Sequence, residues 1–216
     1  MNGRTLVSQA GDLAGRVVAP YVTSWSEESV GDAPVVPGGR GIAYIDEHVM
    51  DRDGDGVLWT RCPSRRGRGR PVFGEVHPLR QRRAMRRLLC QVCAGPADRT
   101  EDGVLWLLVD WRHDWPDWPN RMSVIEPPIC VPCAQLSVRV CPRLRRRGAV
   151  AFRARRYPVA RVFGALYRRQ GGAAVFAGPG EACFEDPMIR WIRATRLIRQ
   201  VDDCTLIEVD DLAEGR

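Results

Sequence analysis

Leu88-Leu-Cys-Gln-Val-Cys93 and Pro127-Pro-Ile-Cys-Val-Pro-Cys133 decide how this chain reads. Each contains a Cys-x2-Cys unit, Cys90 with Cys93 and Cys130 with Cys133, and 36 residues lie between the units. A two-residue gap lets both thiolates of a unit turn toward one ion, and four thiolates in a tetrahedron at about 2.3 Å are what structural zinc takes. Such a site has no position left for water, so the expected role is folding and not catalysis. After the first unit, Gly103-Val-Leu-Trp-Leu-Leu-Val109 reads as a buried strand, and after the second, Ala134-Gln-Leu-Ser-Val-Arg-Val140 reads as one or two helical turns. Knuckle, hairpin, then a helix with the last ligands at its start is the order of a treble clef, and this treble-clef-like zinc module is expected over about residues 78–142.

Upstream, Pro78–Leu89 (PLRQRRAMRRLL) reads as a short basic helix, with proline near its start and Leu79, Met85, Leu88 and Leu89 on a rough apolar face. Arg61–Pro71 (RCPSRRGRGRP) suits an exposed loop. Ile42–Ile45 and Gly56–Thr60 read as two short strands around the turn Asp51–Gly56. Residues 1–40 are expected to form an extended or partly mobile arm, with the linker-like Asp32–Gly41 at its end. Downstream, Val150–Arg155, Val159–Tyr167 and Ala173–Ala177 read as an antiparallel meander turning at Gly171-Gly172. Asp186-Pro187 then opens what reads as a C-terminal amphipathic helix, with Met188, Trp191, Ala194, Ile198 and Val201 on one side and Arg193, Arg196, Arg199 and Gln200 on the other. The fold class that follows is α+β: antiparallel strands with an embedded zinc module and a C-terminal helix, residues 41–216 forming one domain.

The composition is that of a soluble globular chain, with 44% apolar and 27% charged among 216 residues. Its longest apolar stretch, Val104–Val109, is far short of the roughly 18 residues of a membrane helix, and Met1–Pro20 lacks the compact apolar run of an export signal. A cytoplasmic protein with no membrane partner is therefore expected, and in a reducing cytosol paired cysteines point to metal before disulfide.

All 33 basic residues are arginine, and the net charge is +7. An arginine excess of this kind, beside many Ala, Gly, Pro and Val, looks like GC-rich codon choice, so position is more informative than type. Residues 61–90 carry ten arginines and one acid, residues 139–169 eleven and none, and every other stretch is net acidic. Arg80, Arg82, Arg83, Arg86 and Arg87 lead into the first knuckle, while Arg143, Arg145, Arg146 and Arg147 follow the second. Metal folding would draw both clusters toward one side as a phosphate-binding face; a solvated arginine surface is the competing reading. Trp106, Trp111, Trp115 and Trp118 are candidates to stack on bases or, more commonly for such clusters, to wedge a loop onto a small core.

The runs RRAMRRLLCQVCAGPAD (82–98), GVLWLL (103–108), PPICVPCAQLSVRVCP (127–142) and FEDPMIRW (184–191) resemble a family of uncharacterised actinobacterial proteins with this double Cys-x2-Cys core. The resemblance covers Gly41–Leu206 and implies one continuous unit, but it transfers no activity.

Other chemistries fit less well. An HNH nuclease on this scaffold needs paired histidines or Asp-His in the hairpin, but here Asp110 is followed by Trp111, His113 reads as a loop residue, Asn120 is poorly placed and no histidine follows Cys133. The zinc-deaminase signature lacks its acid. Asp51-x-Asp53-x-Asp55-Gly56 starts like a calcium loop, but its twelfth position is Cys62 and a polar turn is the better reading. Cys62, Cys141, Cys183 and Cys204 have no chelating partner in sequence. The leading reading is a zinc-stabilised binding protein that contacts nucleic acid through its arginines. A protein-interaction or accessory module is the alternative, and an enzyme with a site hidden from sequence is the third.

Overall fold

The computed structural model describes residues 19–31, 33–209 and 211–213. In chain order its regular elements are β1 (Thr23–Trp25), β2 (Val35–Gly38), β3 (Gly41–Tyr44), β4 (Leu58–Trp59), β5 (Pro71–Val76), α1 (Pro78–Arg87), β6 (Arg99–Thr100), β7 (Gly103–Val109), β8 (Met122–Val124), α2 (Val131–Val140), α3 (Pro142–Arg147), β9 (Ala149–Arg156), β10 (Val159–Gln170), β11 (Ala173–Cys183) and β12 (Ile192–Ile207). Short 3-10 turns at Val49–Asp51, Pro187–Trp191 and Asp211–Ala213 complete them.

The main sheet has the order β11-β10-β12-β9-β7-β6, with β4 and β8 also pairing β12. Apart from the short parallel contact of β4 with β12, its pairings are antiparallel. β9 and β10 lie end to end along β12 as one ladder: Arg156 faces Asp202, and three residues further on Val159 faces Arg199. The break falls at Tyr157-Pro158, where proline has no N–H to donate. Gly171 and Gly172, at φ 57° and 81°, return β10 into β11 as a two-residue hairpin requires.

β7 divides the core because all its residues are buried, leaving neither face to solvent. Val104, Trp106 and Leu108 pack with Trp118, Phe152 and Val201, whereas Leu105 and Leu107 pack with Cys90, Ile129, Cys133 and Ala151. The cysteine units are thus seated on one face of the most buried strand. The strand is entered at Gly103 (φ +114°), where a Cβ would lie 2.1 Å from the Ala154 carbonyl oxygen, so a side chain there would force β7 and β9 apart.

α1 starts at Pro78, a residue suited to the first turn, and ends at Leu88, which adopts the left-handed conformation (φ 51°) and donates its N–H to the Ala84 carbonyl. Its buried Met85 joins Trp59, Ile192 and Leu197 in a second core. Two polar side chains fasten the helix to β12. Gln81 bonds both backbone groups of Leu197 (2.8 and 2.9 Å), and Arg199 donates to the Met85 carbonyl at 2.7 Å.

Three expectations change. The C-terminal amphipathic helix is instead the 3-10 turn Pro187–Trp191 followed by β12. Asp186 does cap the turn, accepting from Met188 N–H at 2.8 Å, but the helix stops there. Bulges in β12 explain the misreading: Phe163 faces Arg196 and Gly164 faces Ala194, so Thr195 is an extra residue. That insertion turns a spacing of two into one of three, which imitates helical periodicity. Second, the expected arm divides: residues 1–18 lie outside the described residues, whereas β1 pairs with β5 and β2 pairs with β3 in a hairpin. Third, β3 and β4 do not pair with each other; β3 joins β2, and β4 runs parallel to β12.

Candidate metal centre

The first cysteine unit is shaped by the turn that leaves α1. Leu89 bridges Pro96, the Cys90 N–H reaches the Gly95 carbonyl (2.7 Å), and the Ala94 N–H reaches the Cys90 carbonyl (2.9 Å). Ala94 takes φ 64° to close this loop, and the Val92 N–H points at Cys90 Sγ at 3.4 Å. In the second unit Cys130 is the residue before α2 and Cys133 lies in its first turn, with Pro132 where an unpaired N–H would otherwise be. Backbone bonds join the units: Gln91 N–H to the Pro128 carbonyl (2.9 Å), Asp98 N–H to that of Ile129 (3.0 Å), and Ile129 N–H to that of Leu105 (3.0 Å).

The result brings together all four cysteines named from the sequence, with their sulfurs within 4.8 Å of one another. Cys130 Sγ lies 3.6 Å from Cys90 Sγ and 3.8 Å from Cys93 Sγ. A tetrahedron with metal–sulfur bonds of about 2.3 Å has an edge of about 3.8 Å, whereas a disulfide would need about 2.05 Å. The spacing is therefore that of four separate ligands around one ion. Cys90 and Cys133 are buried and Cys93 is exposed, so the cluster is at the edge of the core with one ligand facing solvent. Hydrogen bonds from Cys130 and Cys133 pull the Cys90 thiol down to about 2. Cys130 gains a bond from Cys133, but the Cys90 sulfur and burial push it up to about 12. The Cys130 and Cys90 sulfurs and burial push Cys133 up as well. Four thiols this close compete for protons, and a cation at their centre resolves that competition by stabilising the thiolates together.

The nine arginines separate into different roles. Arg80 is buried and grips the buried Glu28 carboxylate with two bonds of 2.6 Å, so it belongs to the core. Arg86 pairs with Asp53 and Asp55 at 2.9 and 2.7 Å. Arg82 lies 4.4 Å over the Trp59 ring. Arg83 and Arg87 are exposed on α1, which packs on β12. Arg143, Arg145, Arg146 and Arg147 are exposed on α3, which packs on α2 and β7, and none makes an ion pair among the described residues. The two clusters thus stand on helices that pack against different parts of the sheet, and the first contributes only two free guanidinium groups.

The remaining candidates have structural partners. Asp53 accepts from Val57 N–H and Trp59 Nε1, and Asp51 pairs with Arg61, so the acidic loop is a braced polar turn. Asp110 is held by Arg112, Asn120 accepts from the Cys204 N–H, and His113 is exposed. Trp106 stacks on Phe152 (6.1 Å) and Trp118 meets it edge-on (5.9 Å), whereas Trp111 is open to solvent beneath Arg147. Cys141 joins α2 to α3 outside the four-cysteine cluster, and burial, then Asp202 and Asp203, push the Cys204 thiol up to about 12. The sequence reading missed a cavity between Trp59, Thr60 and Arg82, because its walls come from segments that show no shared pattern.

Fold and site together define an α+β protein built around a four-cysteine cluster, with no described helix long and apolar enough to cross a membrane. No family model matches the chain, and no curated protein or solved structure matches it either.

Proposed function

We propose that the chain is a zinc-stabilised binding protein that contacts nucleic-acid phosphates through α3. Cys90, Cys93, Cys130 and Cys133 hold one Zn(II) as thiolates, a donor set that suits a borderline-soft tetrahedral ion and leaves no open coordination position. The order of knuckle, hairpin β6–β7 and helix α2 supports a treble-clef-like module, whose strand β7 also continues into the main sheet. Reduced thiolates require a reducing compartment, as in a cytosol.

The observation that carries the binding reading is the position of Arg143, Arg145, Arg146 and Arg147. They are exposed and unpaired among the described residues, on a short helix that follows directly from the metal-anchored α2. Guanidinium groups with no carboxylate partner are free to form paired bonds with phosphate oxygens. The test is anisotropy titration of labelled duplex DNA and single-stranded RNA at several salt concentrations. Replacing all four with Gln lowers affinity and flattens the salt dependence on duplex DNA by about 0.9 log unit for each phosphate no longer neutralised. The same change at Arg168 and Arg169 has much less effect. A wild type that binds neither polymer at low salt, or equal effects from both sets, refutes the reading.

A further inference from the structure

The cavity beside the start of α1 encloses about 140 Å³. Two polar atoms on its lining residues have no hydrogen-bond partner among the described residues, Thr60 Oγ1 and Arg82 Nη1. Thr60 is only 9% exposed, so bulk water does not readily satisfy its hydroxyl. Arg82 is held flat by Trp59, its guanidinium carbon 4.4 Å from the ring centre, which fixes the plane of its donors. The other cation in the wall, Arg61, is already neutralised by Asp46 at 2.8 Å and Asp51 at 2.6 Å. The pocket therefore has one uncompensated positive charge beside a carboxylate, an environment that accepts one negative charge and resists two. Apolar side chains stand at its side: Met50 is 82% exposed and Leu79 46% exposed.

We infer that this pocket docks the C-terminal carboxylate of a partner protein whose last residue is apolar. The carboxylate accepts from Arg82 and Thr60, and the last side chain, branching from the same carbon, lies on Met50 and Leu79. That shared branch point is what lets both groups fit so small a space, whereas an acidic side chain within a chain would have to bring two backbone directions across it. The site is separate from the metal centre and from α3, so it stands whether or not nucleic acid binds.

The test uses the full chain and NMR or calorimetric titration with acetyl-Ala-Ala-Leu carrying a free carboxylate. Its comparators are the C-terminal amide, acetyl-Ala-Asp-Leu amide and inorganic phosphate. The free acid binds saturably, and the amide binds at least about tenfold more weakly because a charged hydrogen bond is lost. Arg82→Gln weakens the acid by about tenfold or more. Thr60→Val, which keeps the side-chain shape and removes a hydroxyl without a partner, weakens it several-fold while leaving the urea midpoint at or above wild type. If Arg82→Gln fails to fold, Thr60→Val carries the test. Equal binding of acid and amide, equal or better binding of the internal aspartate peptide or of phosphate, no saturable binding, or affinity unmoved in Thr60→Val would each overturn the proposal.

Discussion

Replacing Arg80 tests whether the arginines before the first knuckle are surface or core. Its side chain is 4% exposed, the Glu28 side chain opposite is 0% exposed, and the two are joined by paired bonds of 2.6 Å. Arg80 also donates to the Thr23 carbonyl at 2.8 Å, so it clamps β1 to α1. In Arg80→Leu the Glu28 carboxylate would keep its bonds from Arg65 and Trp25 N–H but lose its counter-charge. Breaking one side of a buried pair costs about 3–5 kcal/mol. For a chain of this length each kcal/mol lowers Tm by about 2–4 °C, so a fall of about 6–20 °C is expected in a thermal scan. Arg83→Gln, on the exposed side of the same helix, should stay within about 0.5 kcal/mol. The pH dependence gives a second signature. Burial by itself raises the Glu28 carboxyl, but Arg80 and the backbone donors outweigh it and hold the folded group below its ordinary 4.5. In the wild type this stabilisation is present above about pH 4.5 and lost as pH falls through the folded value. Without Arg80 the folded carboxyl moves above the unfolded value, so the variant's deficit should shrink on acidification toward pH 4.5. An Arg80→Leu protein as stable as Arg83→Gln, or one whose deficit is flat with pH, would refute the buried-pair reasoning.

Gly103→Ala should destabilise by more than about 2 kcal/mol in urea unfolding, because it combines a positive φ with a Cβ 2.1 Å from backbone; a neutral result would mean that β7 and β9 are not so closely apposed. Cys204, whose thiol is pushed up to about 12 chiefly by burial, should resist alkylation at pH 8 in the folded protein and react on unfolding. Peptide mapping after iodoacetamide treatment reads this directly, and rapid labelling of Cys204 in the native state would contradict it.

What was legible in the sequence is what depends on near neighbours. The Cys-x2-Cys spacings and the uninterrupted run at Val104–Val109 carry their meaning within a few residues, and both are found as read, the four sulfurs gathered and the strand buried. β12 was illegible because a bulge at Thr195 shifts its alternation into a helical spacing, and because its two faces are covered by segments from distant parts of the chain. Val35–Gly38 and Gly41–Tyr44 were hidden by the proline and glycines between them, which read as a linker yet form the turn of a hairpin. The arginines failed for a different reason. Whether Arg80 is a core ion-pair partner or a free cation depends on Glu28, 52 positions away in a segment that looked like an arm. Arg86 depends in the same way on Asp53 and Asp55. Charge counts along a sequence do not register such pairings.

The most direct test of the account is the metal content of the purified chain, read by elemental analysis and native mass spectrometry beside urea unfolding. The account predicts about one zinc per chain, lost in Cys93→Ser and on exhaustive chelation, and a large fall in stability with that loss, since structural zinc contributes about 10–16 kcal/mol of apparent binding free energy. A wild-type chain that is fully folded without metal, or whose Cys90, Cys93, Cys130 and Cys133 are paired as disulfides, would contradict it.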